Sequence, residues 1–106
     1  MASNEPIGCA MRPIHPGEIL RDELAELGLS ARAFAAALDI PVNRVTQVLR
    51  EQRGVSADTA LRLARYFGTS PEFWMGLQSD YEFRRAQREV GHAIAQAVRP
   101  RGLDAM

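Results

Sequence analysis

Apolar residues at helical spacing divide the chain into short amphipathic segments that are separated by glycine and proline. The first predicted helix opens at His15-Pro16-Gly17-Glu18, with Pro16 at its first position, and ends at Gly28. Its apolar stripe consists of Leu20, Leu24 and Leu27, with Ile19 beside them. Because such a stripe has to be buried, we expect this helix to pack against the segments that follow.

Two further amphipathic segments are joined by a tight break at Asp39-Ile40-Pro41. Proline cannot continue a helix but suits the first turn of a new one. The first segment starts after Ser30, a good N-cap, and the second runs from Val42 to about Arg50. The residues predicted to be buried are Phe34, Ala35 and Leu38 in the first segment and Val45, Val48 and Leu49 in the second. Two short helices in this arrangement are typical of a helix-turn-helix, whose second helix can enter a DNA major groove.

The exposed face of the second segment carries side chains that can pair with base edges. Asn and Gln can form two hydrogen bonds with adenine, Arg can do so with guanine, and an apolar side chain can contact the thymine methyl group. We therefore predict base contacts by Val42, Asn43, Arg44, Thr46 and Gln47. The alternative is that these are ordinary solvated residues on a surface helix.

Basic and short polar side chains near the predicted helix ends are candidates for contacts with the DNA backbone. Ser30 and Ser56 each precede a predicted helix, whose free N–H groups can hold a phosphate. Helix capping alone is also a sufficient reason for both serines. The predicted phosphate contacts are Ser30, Arg32, Arg50, Arg53, Ser56 and Thr59.

Two more helices are predicted after the central pair. One runs from Ala57 to about Phe67 and ends at Gly68, and Ser70-Pro71-Glu72 opens the other. The residues predicted to face inward in the first are Ala60, Leu61, Ala64 and Phe67. In the second, the residues at helical spacing that should mostly be core are Phe73, Trp74, Leu77 and Tyr81.

The apolar stripe continues beyond these residues to Pro100, with a possible break near Ser79-Asp80. Such a stripe either folds back on its own domain or meets another chain. We favour a dimer contact, because helix-turn-helix proteins usually bind two half-sites as dimers. The predicted dimer interface consists of Trp74, Tyr81, Phe83, Val90 and Ile94.

Charge is segregated along a chain whose formal net charge is zero. Residues 30–70 contain six Arg and three acidic residues, whereas residues 16–28 contain four acidic residues and Arg21. A globally basic DNA-binding protein is therefore excluded, but a basic face next to an acidic first helix is not. A single cysteine, Cys9, excludes an intramolecular disulfide and a multi-cysteine metal site.

A length of 106 residues predicts one domain with a modest core. We predict a leader over residues 1–11, a helix-turn-helix DNA-binding domain over 12–80, a C-terminal helix for dimerisation or packing over 81–99 and a tail over 100–106. Met11 is a second possible start. Nothing resembles a signal peptide and no apolar run approaches membrane length, so we expect a cytoplasmic protein with no membrane contact.

Catalysis is not expected. The sequence contains no paired carboxylates, no Cys/His pair, no metal-spaced ligands and no glycine-rich phosphate loop. His15 has no visible nucleophile or carboxylate partner beside it. We therefore predict no enzyme activity, no cofactor and no bound metal.

The run from Met11 to about Arg85 resembles the HigA family of antitoxins, within the lambda-repressor-like (Xre) class of helix-turn-helix proteins. Three stretches carry the resemblance: HPGEILRDEL from His15, the helix-turn-helix itself, and ADTALRLARYFGTSPEFWMGLQSDYE from Ala57. The last stretch is the most specific, because generic repressors of the class lack SPEFWMGLQ after the domain. Two departures are Ala31, where many members have Gln, and Asp39, where glycine is usual.

The resemblance implies an all-α, lambda-repressor-like five-helix DNA-binding domain with a C-terminal helical extension that forms a homodimer. It implies a protein that neutralises a HigB toxin, a RelE-like ribosome-dependent mRNA interferase, and represses its own operon through palindromic half-sites. Base-reading positions carry over to Val42, Asn43 and Gln47, with Arg44 and Thr46 beside them; phosphate positions carry over to Ser30, Arg32, Arg53 and Ser56. A stand-alone dimeric repressor without a toxin is the alternative. The acidic first helix is the predicted meeting place for a basic toxin.

Overall fold

The computed structural model describes residues 12–102, so the predicted leader (1–11) and the last four residues of the predicted tail lie outside it. Five helices lie within residues 14–97: α1 (Pro16–Leu27), α2 (Ala31–Leu38), α3 (Val42–Leu49), α4 (Ala57–Phe67) and α5 (Pro71–Ala97). The predicted all-α, five-helix fold is confirmed. None of the helices in the described part of the chain combines the length and the apolar character needed to cross a bilayer.

Serine side chains begin three of the helices as the sequence predicts. The hydroxyl oxygens of Ser30, Ser56 and Ser70 each accept a hydrogen bond from the backbone N–H three residues later, at 3.1, 3.3 and 3.1 Å. Gly28 and Gly68 end α1 and α4 in the left-handed conformation, with φ of +68° and +74°. These boundaries were predictable because capping depends only on residues within one helical turn.

His15 is the N-cap of α1 and is buried, with 2 % of its surface exposed. Its Nδ1 accepts a hydrogen bond from the N–H of Gly17 at 2.9 Å, and its own N–H donates to the Glu18 carboxylate at 3.3 Å. An imidazole that accepts at Nδ1 is neutral. Burial lowers the pKa of His15 below its ordinary value and outweighs the nearby carboxylates of Glu51 and Glu18, which raise it.

This arrangement predicts a loss of stability in mild acid. The neutral form of His15 is favoured in the native state, so the unfolded chain binds the proton more readily. Neutral His15 therefore contributes its full stabilisation above about pH 6.5, the pKa of histidine in the unfolded chain. This stabilisation decreases as the pH falls below that value. Urea unfolding at about pH 7.5 and about pH 5.5 measures the difference, because His is the side chain that titrates in this range.

Two variants give this measurement its controls. His15→Asn keeps a good N-cap without a titrating ring, so we expect it to lose most of the dependence between the two pH values. His92→Asn, at an exposed position on α5, should retain it. Equal pH dependence in wild type and His15→Asn would contradict the assignment.

The core forms where one face from each of α1 to α5 converges. Its buried apolar members are Leu20, Leu24, Phe34, Ala35, Leu38, Val45, Val48, Val55, Ala60, Leu63, Ala64 and Trp74. The sequence predictions that Leu27 and Leu61 are buried are wrong, since they are 51 % and 60 % exposed. Leu27 occupies the last position of α1, and in α4 the buried face is turned so that Leu63, rather than Leu61, enters the core.

Trp74 belongs to this core. It is 2 % exposed, its ring lies 5.7 Å from that of Phe67 between centroids, and its indole N–H donates to Thr69 Oγ1 at 2.8 Å. The prediction that Trp74 forms part of a dimer interface is therefore wrong, because its surface is already covered by its own domain. Phe73, next to it, is 48 % exposed although the sequence pattern placed it in the core.

Helix α5 runs without interruption from Pro71 to Ala97, so the possible break near Ser79-Asp80 does not occur. By its contacts the chain divides into a compact unit, Ile14–Tyr81, and a second unit that contains the rest of α5 from Glu82. In the second unit the apolar side chains of Phe83, Val90 and Ile94 are 62 %, 44 % and 52 % exposed. The division of the chain into leader, DNA-binding domain, C-terminal helix and tail stays a prediction.

Candidate nucleic-acid interface

The turn between α2 and α3 is formed by Asp39, Ile40 and Pro41. Asp39 adopts the left-handed conformation, with φ of +59° and ψ of +49°, which aspartate tolerates better than most residues. Ile40 N–H then donates to the carbonyl of Ala35 at 3.1 Å, and Pro41 becomes the N-cap of α3. The departure from glycine at position 39 thus leaves the helix-turn-helix geometry intact.

Helix α3 has one buried and one accessible face. Val45 and Val48 are 4 % and 3 % exposed and pack into the core. Asn43 is exposed, whereas Val42, Thr46 and Gln47 are partly exposed. The structure therefore places these four predicted base-reading side chains where an incoming ligand could reach them.

Arg44, the fifth predicted base-reading residue, is held by a carboxylate on another helix. Its Nη1 lies 2.8 Å from Oδ1 of Asp58, in the first turn of α4. The same oxygen accepts from Nε of Arg62 at 2.7 Å. This contact places the N-terminal turn of α3 beside the N-terminal turn of α4.

Arg62 also stabilises the turn of the motif. Its Nη1 donates to the carbonyls of Leu38 and Asp39, at 2.9 and 3.1 Å, which lie at the end of α2. The hydrogen bonds from Arg62 and Arg44 lower the pKa of the Asp58 carboxyl, and the bond with Asp58 raises the pKa of Arg62. Asp58 and Arg62 therefore remain charged at neutral pH, and the contacts among the three side chains connect α2, α3 and α4.

The other end of α3 is held from α1. Arg21 donates to the carbonyl of Leu49, the last residue of α3, and its Nη2 lies 3.1 Å from the carboxylate of Glu51. Glu51 itself has a positive φ of +62°. A cation at a helix C-terminus satisfies a free carbonyl and opposes the helix dipole.

The predicted phosphate-binding residues differ in how exposed they are and in which hydrogen bonds or ion pairs they already make. Arg32, Arg50 and Arg53 are exposed, and among residues 12–102 no acidic group lies within ion-pair distance of their guanidinium groups. Ser30 and Ser56 are exposed N-caps. These five positions therefore remain accessible.

Thr59 does not belong with them. It is 4 % exposed, and its Oγ1 accepts a hydrogen bond from the hydroxyl of Ser56 at 3.3 Å. The prediction of a phosphate contact by Thr59 is wrong, because α4 turns this side chain toward the core.

Gln78 of α5 supports the loop between α3 and α4. It is 7 % exposed, and its Oε1 accepts a hydrogen bond from the N–H of Val55 at 2.8 Å. The side-chain amide also lies close to Gly54, where an added Cβ would meet it at 2.6 Å. The loop that carries Arg53 is thus fixed from a helix more than twenty residues away.

Sequence reasoning missed the residues that position this interface: Arg21, Asp58, Arg62 and Gln78. The i,i+4 spacing of Asp58 and Arg62 on one helix was a visible signal for part of the set. Nothing in the sequence indicated that Arg44 reaches the same carboxylate, or that Gln78 would meet Val55.

Comparisons with known proteins agree on one family. Residues 20–74 match the family model described as Helix-turn-helix. The chain is 50 % identical over 80 residues to virulence-associated protein I of Dichelobacter nodosus, covering 74 % of each protein.

Two solved structures are similar along most of the chain. An addiction module antidote protein of a HigA family from Coxiella burnetii has 53 % identity and a TM-score of 0.82, with 85 % of this chain and 99 % of that one covered. The Pseudomonas aeruginosa antitoxin HigA, solved with the higBA promoter, has 52 % identity, a TM-score of 0.82 and the same coverage.

Proposed function

The chain belongs to the HigA family of helix-turn-helix proteins, and on this basis we propose that it is the antitoxin of a type II toxin–antitoxin module. In this role it binds operator DNA as a dimer, represses its own operon and neutralises a HigB/RelE-like mRNA interferase in the cytoplasm. The likeness over 85 % of the chain to an antitoxin that was solved with promoter DNA carries the proposal.

Base recognition is assigned to the accessible face of α3. The exposed amide of Asn43 and the partly exposed amide of Gln47 offer the donor and acceptor pair that adenine requires. Val42, which is partly exposed, would contact a thymine methyl group. Thr46 donates its hydroxyl hydrogen to the Asn43 carbonyl at 3.1 Å. It can therefore contact a base only with its methyl group or with its hydroxyl oxygen as an acceptor.

Phosphate binding is assigned to the residues around this face. Arg32, Arg50 and Arg53 supply positive charge, while Ser30 and Ser56 stand at helix N-termini whose free N–H groups favour anions. These contacts would set the position and register of the protein on the duplex without reading its sequence.

Dimerisation is assigned to the exposed apolar stripe of α5, and the occupant is a second copy of the chain. The stripe consists of Phe83, Val90 and Ile94 on α5 and of Val98, which directly follows its last residue; these side chains are between 44 % and 62 % exposed. Apolar residues at this helical spacing favour burial against a partner helix. Two copies would present two α3 helices to two half-sites of a palindromic operator. Tyr81 is half-buried against His15, with ring centroids 4.7 Å apart, and its part in the dimer interface stays a prediction.

Toxin binding is assigned to the acidic face of α1. Asp22 and Glu26 are exposed and Glu23 is partly exposed, whereas Glu18 is engaged with the N–H of His15. An RNA-cleaving toxin that works on the ribosome needs a basic surface, and opposite charge steers association. The exposed side chain of Leu27 adds apolar area at the end of the same helix.

Direct readout predicts a sequence-dependent loss of affinity when the α3 amides are removed. We expect Asn43→Ala or Gln47→Ala to cost about 1–3 kcal/mol of operator binding and to relax the preference at one base pair. Fluorescence anisotropy with a promoter duplex and a shuffled duplex of equal length measures both affinities. Gln96→Ala, which removes an exposed amide on α5, is the matched control. Equal losses on both duplexes would contradict base readout.

Co-expression with the neighbouring gene tests the function as a whole. The small open reading frame immediately upstream in the native genome is expressed under tight control, alone and together with this chain. Growth arrest that is rescued by the chain, with co-purification of both proteins, is the expected result. If no product of the adjacent gene is toxic or bound while the promoter duplex is bound, the antitoxin role is refuted and a stand-alone repressor remains.

A further inference from the structure

We infer that Asp58 is a specificity-determining residue of the DNA interface, which acts by withholding the charge of Arg44 from the duplex; this rests on the proposed DNA binding. Arg44 is the third residue of α3 and lies between Asn43 and Val45. Its guanidinium contacts the Asp58 carboxylate at 2.8 Å, and its side chain is 27 % exposed. The cation next to Asn43 in the sequence is therefore already paired with a carboxylate of the same chain.

Asp58 keeps its orientation independently of Arg44. The oxygen that accepts from Arg44 also accepts from Nε of Arg62, and Arg62 is anchored on the carbonyls of Leu38 and Asp39. The carboxylate is thus fixed by α4 and by the end of α2. Neutralising Asp58 would release Arg44, whereas removing Arg44 would leave the other contacts of Asp58 and Arg62 in place.

A released Arg44 would bind phosphate. Arg44 lies beside the N-terminal turn of α4, where Ser56 is proposed to contact the DNA phosphates. A phosphate contact adds affinity for every sequence equally and increases the salt dependence of binding. The pairing with Asp58 therefore lowers affinity for random DNA and increases the share of binding that depends on base contacts.

The test compares salt dependence in the full-length chain on a duplex of random sequence. For Asp58→Asn we expect roughly three- to tenfold tighter binding near 0.1 M salt, and a slope of log K against log salt that is steeper by about 0.9, the value of one phosphate contact. Glu72→Gln also removes one negative charge in the first turn of a helix, at an exposed position of α5, and should leave the slope unchanged. An unchanged slope in Asp58→Asn overturns the inference.

Two variants of Arg44 show whether the gain passes through this side chain. In the double variant Arg44→Ala with Asp58→Asn, the gain in affinity and slope should disappear; its persistence overturns the inference. Arg44→Gln alone should keep the wild-type slope, because its charge is already withheld. A slope shallower by about one phosphate contact would show that Arg44 binds DNA in the wild type.

If Asp58→Asn does not fold, the salt slope of Arg44→Gln alone still tests whether the charge of Arg44 is withheld from the duplex. Failure of the proposed function is distinguishable, since it would appear as equal affinity of the wild type for the promoter duplex and for random DNA. In that event the slopes on random DNA still decide whether Asp58 withholds the charge of Arg44 from the duplex.

Discussion

Trp74→Ala is expected to lower the free energy of unfolding by about 3–5 kcal/mol, the usual cost of removing a large buried aromatic side chain. Trp74 is 2 % exposed, packs against Phe67 and ties the start of α5 to Thr69 through its indole N–H. The substitution leaves a cavity and removes the hydrogen bond to Thr69. Because small domains are stable by only about 5–15 kcal/mol, we expect a variant that is close to unfolding at 37 °C.

Urea unfolding at several protein concentrations distinguishes this role from one in a dimer interface. A core residue lowers stability at every concentration, whereas an interface residue changes mainly the dependence of stability on concentration. Phe73→Ala is the matched control, since the neighbouring ring is 48 % exposed. We expect it to cost less than about 1.5 kcal/mol. Similar losses for both variants would contradict the assignment of Trp74 to the core.

Gly17→Ala is expected to destabilise the protein by about 1–3 kcal/mol, toward the upper end of that range, through overpacking between helices. A Cβ at Gly17 would collide with the carbonyl oxygen of Val48, so α1 and α3 could not keep their present distance. The obstructing atom belongs to the backbone of α3 and cannot move by a change of rotamer. Operator affinity should therefore decrease together with stability.

Thermal unfolding compares this variant with Gly76→Ala. Gly76 is also helical, but nothing lies within 4 Å of an added Cβ there. Alanine at position 76 should raise the free energy of unfolding by about 0.5–1 kcal/mol, because glycine loses more conformational entropy in a helix. If Gly17→Ala also stabilised the protein, the close approach of α1 and α3 would be refuted.

Helix boundaries were predictable because their causes are local. Ser30, Ser56 and Ser70 bond to N–H groups three residues away, and Gly28 and Gly68 provide the left-handed end. A short-range rule can be applied to the sequence without knowledge of the fold. The same holds for the turn of the helix-turn-helix, where Pro41 forces a new helix to begin.

The predictions that failed concern residues whose burial depends on how two helices, or two faces of one helix, pack in the domain. Leu61 and Leu63 both border the apolar face of α4, and only the angle at which α4 packs selects Leu63 for the core. Thr59 has a hydroxyl group of the kind that binds phosphate, yet the same packing of α4 buries it. Trp74 lies in a stripe that continues to Ile94, and periodicity cannot tell where burial in the domain ends and exposure begins.

The helices, their caps, the helix-turn-helix and the family follow from the amino-acid sequence, because each depends on residue types within a few positions of one another. Which charges are available to DNA depends instead on how the helices pack. Arg44 and Arg53 look alike in sequence, but Arg44 meets Asp58 from another helix, whereas Arg53 lies in a loop that Gln78 fixes through Val55. These contacts join residues 14 and 23 positions apart, and packing that brings such residues together is a property of the whole core rather than of any one segment.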